Sequence, residues 1–374
     1  MIEKTTRSFG CPLKYIQGPD EFENIAVYTE EYGKAMFIID AFLFESLKSR
    51  LDRIYEKAGL AYEALPMSGE CCNEFIDEIM QSFQKSGADV IVGVGGGKTM
   101  DTSKICAGRL SKPLIIVPTS ASTDAPVSEI AVLYQPDGVY IGSQKMKHNA
   151  NLILVDTKII VGAPTRLFVA GIADALATDP EALACRQSDS PNYIGEGNRR
   201  CIAGMAVAKA CWDTIFADGR AAVLAQKKGI VTEAFENVVE ANTLLSGLGF
   251  LNTGLSCAHG IHSGLTAVES AHSFLHGEKV AFGIVVQMVL ENTPAGELDK
   301  VMRFMVDIGM PVTLEQLNVE PTIENITAIA EKTVGGPLVH HEPFAVTFET
   351  VYNAIVLADE LGKQYLSGKG QQCS

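Results

Sequence analysis

The segment ADVIVGVGGGKTMD, residues 88–101, runs from an apolar stretch into three consecutive glycines and then into helix-forming residues. An apolar run without alternation reads as a strand buried on both faces, which calls for a parallel sheet covered by helices. Glycines at the end of such a strand let the backbone approach a ligand closely. The helix that follows offers unpaired N–H groups and the positive end of its dipole to an anion. A tight turn that needs glycine for steric reasons alone is the plainer reading. Lys98, directly after Gly96 and Gly97, favours a bound phosphate. Asp40 closes an earlier strand, where a carboxylate either accepts the hydroxyls of an adenosine ribose or caps a helix.

The surrounding chain repeats this alternation. KAMFIID (34–40) and PLIIVPTS (113–120) read as buried strands. FLFESLKSRLDRIYEKAG, NEFIDEIMQSFQKSG and KTMDTSKICAGRL read as helices, the first two stopped by glycine. SEIAVLY, VYIGSQ and NLILVD read as shorter strands, hairpin and edge additions. Beyond VGAPTR (161–166) nearly every segment has helical period. The expectation is an α/β N-terminal domain with a parallel sheet, residues 1–162, and an all-α C-terminal domain, residues 163–374. The ligand would sit in the cleft between them.

The formal net charge of −15 argues against nucleic acid or an anionic membrane as the main partner. No apolar run approaches the ~18 residues of a membrane span. The nine cysteines include no C-x-x-C pair, and several lie in apolar runs, so reduced thiols packed as small hydrophobes are expected. With no apolar stretch in the opening residues, a cytoplasmic location is the expectation.

Three further features carry chemistry. VPTSASTDAPVSE (117–129) is a polar loop after a buried strand, where open α/β sheets bind ligands. Four of the seven histidines fall between residues 259 and 276. His259 and His262 share a helix face; His272 and His276 are four apart. A catalytic divalent site needs about three protein ligands, so two of these histidines would need a third ligand, with a carboxylate the natural type. Asp174 is the candidate, because an aspartate in the apolar helix VAGIADALAT needs a cationic partner if buried. Asp179, before Pro180, reads instead as the cap of a restarted helix, with a break at Thr178–Asp179.

These segments together resemble the metal-dependent glycerol dehydrogenases, a branch of the iron-containing alcohol dehydrogenase and dehydroquinate synthase-like superfamily. The motifs GVGGGKTMDTSK, VPTSASTDAPVSEIAVLY, GIADALAT, VVEANTLLSGLGF and HGEKVAFG carry the likeness over almost the whole chain. The resemblance implies a single Zn²⁺ on Asp174, His259 and His276. Thr178 stands where the iron-dependent branch has a further histidine. It implies NAD contacts at Asp40, Gly97, Lys98, Asp101, Thr119, Ser122, Ser128, Ile130 and Tyr134, with Gly96 in the same turn, and a substrate-hydroxyl contact at Asp124.

The activity so implied is reversible oxidation of glycerol to dihydroxyacetone, with other small vicinal diols as further substrates, by a large homo-oligomer, often an octamer. A dehydroquinate synthase-like reaction would need several Lys and Arg around the ligands, and few are present. A non-catalytic nucleotide-binding relative would bind NAD without turnover. Two places depart from the family pattern. Asp179-Pro180 replaces an aromatic pair, and VHHEPF (339–344) replaces a single histidine.

Overall fold

The computed structural model describes residues 5–195 and 197–368. The chain divides into two compact units. One comprises Cys11–Pro164 with Gly229–Val231; the other takes residues up to Gly10, Thr165–Lys228 and the chain from Thr232 onward. No helix among the described residues is long and apolar enough to cross a membrane. Eight cysteines are free thiols; Cys373 lies outside the described residues.

The first unit is built on six strands: β1 (Lys14–Gly18), β2 (Ala35–Asp40), β3 (Tyr62–Met67), β4 (Val90–Gly95), β5 (Leu114–Pro118) and, after a hairpin of β6 (Ile130–Tyr134) and β7 (Tyr140–Lys145), β8 (Leu152–Asp156). The sheet order is β1-β8-β5-β4-β2-β3, with every pairing parallel. The hairpin pairs antiparallel as a separate two-stranded sheet. Helices α1 (Phe44–Ala58), α2 (Asn73–Ser86) and α3 (Gly97–Leu110) alternate with the strands. The core joins Phe37, Ile39, Val92, Val94, Ile115, Val117 and Leu154 of the sheet to Leu47, Leu51 and Tyr55 of α1.

Three strands depart from expectation. NLILVD forms β8, which is an interior strand between β1 and β5 and no edge addition. All five of its residues are buried, which is the two-faced burial of a central parallel strand. β1 and β3, the two actual edges, carry polar residues or a proline and gave no strand signal. Pro66 is tolerated in β3 because an edge strand has a free ladder side.

The second unit is helical: α4 (Thr165–Ser188), α5 (Ile202–Lys228), α6 (Glu233–Glu240), a π-type turn Ala241–Leu245, α7 (Ser246–Thr253), α8 (Cys257–Leu265), α9 (His276–Leu290), α10 (Ala295–Ile308), α11 (Ile323–Gly335) and α12 (Phe348–Leu366). Residues 5–10 belong here because Arg7–Ser8 pairs with Arg199–Arg200. Asn252 also holds both the N–H and the carbonyl of Gly10.

The expected break at Thr178–Asp179 does not occur. α4 is one helix with Pro180 inside it, so Asp179 is a mid-helix residue and no cap. Proline in a helix interior costs about 3 kcal/mol and leaves the Leu176 carbonyl without its N–H donor. The helix tolerates this because it is buried along most of its length against α5, α7 and α9. Tertiary packing here outweighs the local sequence signal.

Two glycines bring the helices near His276 together. A Cβ on Gly277 would lie 1.9 Å from the Ala170 carbonyl oxygen of α4, and one on Gly283 would lie 2.2 Å from that of Ala258 in α8. Only residues without a side chain allow α9 this approach to both neighbours.

Candidate functional site

Helices α4, α8 and α9 each deliver one side chain to a common point. Asp174 comes from the middle of α4, His259 from the first turn of α8 and His276 from the first residue of α9. His276 Nε2 lies 3.1 Å from Asp174 Oδ1 and 3.3 Å from His259 Nε2; His259 Nε2 lies 3.4 Å from the same carboxylate oxygen. Two donors at about 2.1 Å from a tetrahedral ion stand about 3.4 Å apart. The three donor atoms therefore already have the spacing a divalent ion requires.

Charge leads to the same conclusion. Asp174 and Glu181 are almost wholly buried, and buried carboxylates require a cation or full hydrogen bonding. Burial opposes ionisation of Asp174, but His276 and His259 beside it outweigh that and hold the carboxyl below its ordinary range. Burial likewise disfavours a charged His259, yet Glu181 and Asp174 push its pKa well above the usual value. Without a metal, a proton therefore stabilises the same carboxylates. Two imidazoles and a carboxylate form a donor set that suits divalent zinc or iron.

The other histidines of the cluster separate by role. His262, one turn after His259, places Nε2 3.0 Å from His276 Nδ1. Burial and then the neighbouring His276, His259 and Lys279 drive its pKa well below the ordinary value, so it is a neutral ring. It can accept the His276 Nδ1 proton and fix that imidazole. His272 is exposed and bonds the Thr266 carbonyl, away from the donor atoms. Thr178 packs its methyl against Gly249 and its hydroxyl against Ser246, so no fourth protein ligand comes from that position.

Sequence reading missed three carboxylates at the helix starts around the centre. Glu181 accepts from the N–H groups of Ser256 and His259 and faces His259 Nδ1 at 2.7 Å. Glu278 accepts from the Leu275 N–H, fixing the start of α9, and is itself held in a two-bond pair by Arg166. Glu342, from the unusual VHHEPF segment, accepts from Ser256 Oγ and the Cys257 N–H at the head of α8. Burial and then the carboxylate of Glu291 raise its pKa to about 8. His341 contacts the Leu255 carbonyl, whereas exposed His340 contacts that of Val334. A signal for Glu181 was present: it stands seven residues after Asp174, two turns along the same helix face.

In the sheet unit the expected cofactor residues gather at the carboxyl ends of β2, β4 and β5. From β2 the chain steps to β3 on one side, and from β4 it continues on the other side. The ends of β2 and β4 therefore form the topological switch point where open α/β sheets bind ligands. Asp40 accepts from the Gly96 N–H at 2.9 Å and from the Thr99 hydroxyl, so it holds the glycine turn. A Cβ on Gly95 would collide with Asp40, whereas one on Gly97 would meet nothing within 4 Å. Packing within the unit thus explains Gly95 and leaves Gly97 unexplained, at the N-terminus of a 14-residue helix. Space beside unpaired N–H groups suits a diphosphate. Lys98 pairs with Glu70 at the same end.

The remaining expected residues line the following loop and hairpin. The Thr119 N–H bonds the Gly95 carbonyl, and Ser122 faces Ser120. Asp124 precedes a short 3₁₀ turn, and Ser128 accepts from the Ile130 N–H. Tyr134 bonds Cys71 through its N–H and stacks edge-on with Tyr140. Asp101 is occupied inside the fold: it pairs with buried Lys104 and accepts from the Val132 N–H. Lys104 also donates to the Ala125 and Ile130 carbonyls, tying both ends of this loop to α3.

A family model described as iron-containing alcohol dehydrogenase matches residues 12–157. A glycerol dehydrogenase of Escherichia coli O6:H1 is 40% identical over 364 residues, covering 96% of this chain and 98% of the relative. The crystal structure of glycerol dehydrogenase from Schizosaccharomyces pombe matches with a TM-score of 0.92 at 36% identity, covering 99% of this chain and 94% of that one. A probable glycerol dehydrogenase from Sinorhizobium meliloti 1021 matches with a TM-score of 0.89 at 39% identity, covering 96% and 100%.

Proposed function

Since the chain belongs to the iron-containing alcohol dehydrogenase family, we propose that it oxidises glycerol to dihydroxyacetone with NAD, using zinc held by Asp174, His259 and His276. The observation that carries this reading is the convergence of those three donor atoms, all within 4.8 Å of one another, in a chain that matches glycerol dehydrogenases over nearly its full length. When bound, the metal supplies Lewis acidity toward the substrate oxygen and NAD supplies the hydride acceptor.

The protein's own residues hold and orient. Glu181 and His262 engage the outward nitrogens of His259 and His276, leaving Nε2 of each ring for the metal. Because the Nε2 of His262 faces His276, that nitrogen is committed to ring orientation and does not take the substrate proton. The N–H groups after Gly97 hold the diphosphate, with Lys98 beside them, and Asp40 fixes the turn that presents them. Thr119, Ser122, Ser128, Ile130 and Tyr134 contact the rest of the cofactor, and Asp124 takes a second hydroxyl of the polyol. Asp101 joins them while also holding the Val132 N–H of the hairpin.

Vicinal hydroxyls favour 1,2-propanediol and 2,3-butanediol as further substrates. The enzyme is taken to work in the cytoplasm as a homo-oligomer, an octamer, and the eight free thiols among the described residues suit a reducing compartment. The test is NADH absorbance across a panel of simple alcohols, vicinal diols and glycerol. Turnover should favour glycerol and the vicinal diols. NAD binding with no turnover of any diol would overturn the proposal.

A further inference from the structure

We propose that Glu181 is the positioning residue of the metal centre, setting the tautomer and the aim of His259; this role rests on the Asp174–His259–His276 site proposed above. The geometry divides its carboxylate in two. Oε1 accepts from the backbone N–H groups of Ser256 and His259, at 2.8 and 3.0 Å. Oε2 faces His259 Nδ1 at 2.7 Å. Oε1 is filled by two backbone donors, which leaves Oε2 to accept from Nδ1–H. With one proton held on Nδ1, Nε2, which faces Asp174 and His276, is the nitrogen left to give its lone pair when a metal replaces the second proton. That is the form an imidazole must take to ligate a metal.

The same contact fixes where the ring sits. His259 lies in the first turn of α8, whose leading N–H groups have no partner within the helix. Glu181, Glu342 and Gln287 satisfy the N–H groups of Ser256, Cys257, Ala258 and His259 between them. Of these three, only Glu181 also touches the imidazole. Because Glu181 stands on the same helix as Asp174, α4 supplies one ligand and orients a second.

Glutamine at this position separates the role from simple packing. Its amide has one acceptor oxygen and one donor nitrogen. If the oxygen keeps the two backbone bonds, the NH₂ faces Nδ1 and forces the proton onto Nε2, which cannot then bind metal. If the oxygen faces Nδ1, the NH₂ opposes two N–H donors. Glu342→Gln alters the same helix end without touching the ring and is the control.

The experiment measures Zn²⁺ dissociation constants by chelator competition, with the thermal midpoint of each metal-free protein. Glu181→Gln should weaken zinc by about 10- to 100-fold, with Glu342→Gln within about threefold of wild type. Wild-type affinity in Glu181→Gln would overturn the role, as would equal weakening in both variants, which would assign the effect to the helix end. A wild-type protein without zinc affinity would overturn the metal centre itself, a distinct result. Should Glu181→Gln not fold, ¹⁵N-histidine labelling of the zinc-loaded wild-type protein keeps the test. The role requires a His259 Nδ1 proton protected from solvent exchange; rapid exchange would contradict it.

Discussion

Asp174 Oδ1 lies 3.1 Å from His276 Nε2, joining residues 102 positions apart in the chain. One is buried in the middle of a helix and the other stands at the first position of another, where Gly277 allows the backbones to meet. The contact makes each residue dependent on the other. Asp174→Asn or His276→Ala should lose zinc by more than the ~10- to 100-fold cost of removing an outer partner. NADH formation should fall in parallel. Metal analysis after dialysis checks this, and full metal content in either variant would refute the ligand assignment.

Gly97 yields a prediction in the sheet unit. A Cβ there meets nothing within 4 Å, so the fold has no steric need for glycine at this position. Gly97→Val should weaken NAD binding by about tenfold or more, because the side chain would fill the space beside the helix N-terminus. The thermal midpoint without cofactor should stay close to wild type. Gly95→Ala should do the reverse in part, lowering stability by about 1–3 kcal/mol through its collision with Asp40. Unchanged NAD affinity in Gly97→Val would place the diphosphate elsewhere.

Asp179 gives a pH dependence. Burial raises its pKa from 3.8 to about 6. Between those values the folded state binds more protons than the unfolded chain, so stability falls as pH rises through that window and stays lower above it. Asp179→Asn removes this penalty and should stabilise the protein at pH 7.5 by roughly 1–2 kcal/mol after allowing for solvent screening. At about pH 3, below both values, the gain should vanish. Thermal midpoints of both proteins at the two pH values check this, and an equal difference at both would contradict it.

The sequence made the strand–glycine–helix unit and the histidine cluster legible because each is a local pattern with a direct physical meaning. β2, β4 and β5 were visible as apolar runs because central parallel strands are buried on both faces. β1 and β3 were not, because edge strands need no such pattern and Pro66 argues against one. Pro180 misled for a related reason: its local cost is real, but the burial that offsets it comes from helices far away in sequence. Glu181 was obscured by the same proline, since a helix expected to restart at Asp179 would have broken the seven-residue register with Asp174. The pairing of Asp101 with Lys104 and with the Val132 N–H is a tertiary contact that spacing alone does not reveal.

The central claim is that one divalent ion on Asp174, His259 and His276 makes this chain a polyol oxidoreductase. The most direct measurement follows NADH formation from glycerol and NAD in protein stripped by a chelator, then titrated with Zn²⁺. Activity should be absent in the stripped protein and should return in proportion to zinc bound, reaching its plateau at one ion per chain. Undiminished turnover in the stripped protein, or a plateau unrelated to zinc occupancy, would contradict the account.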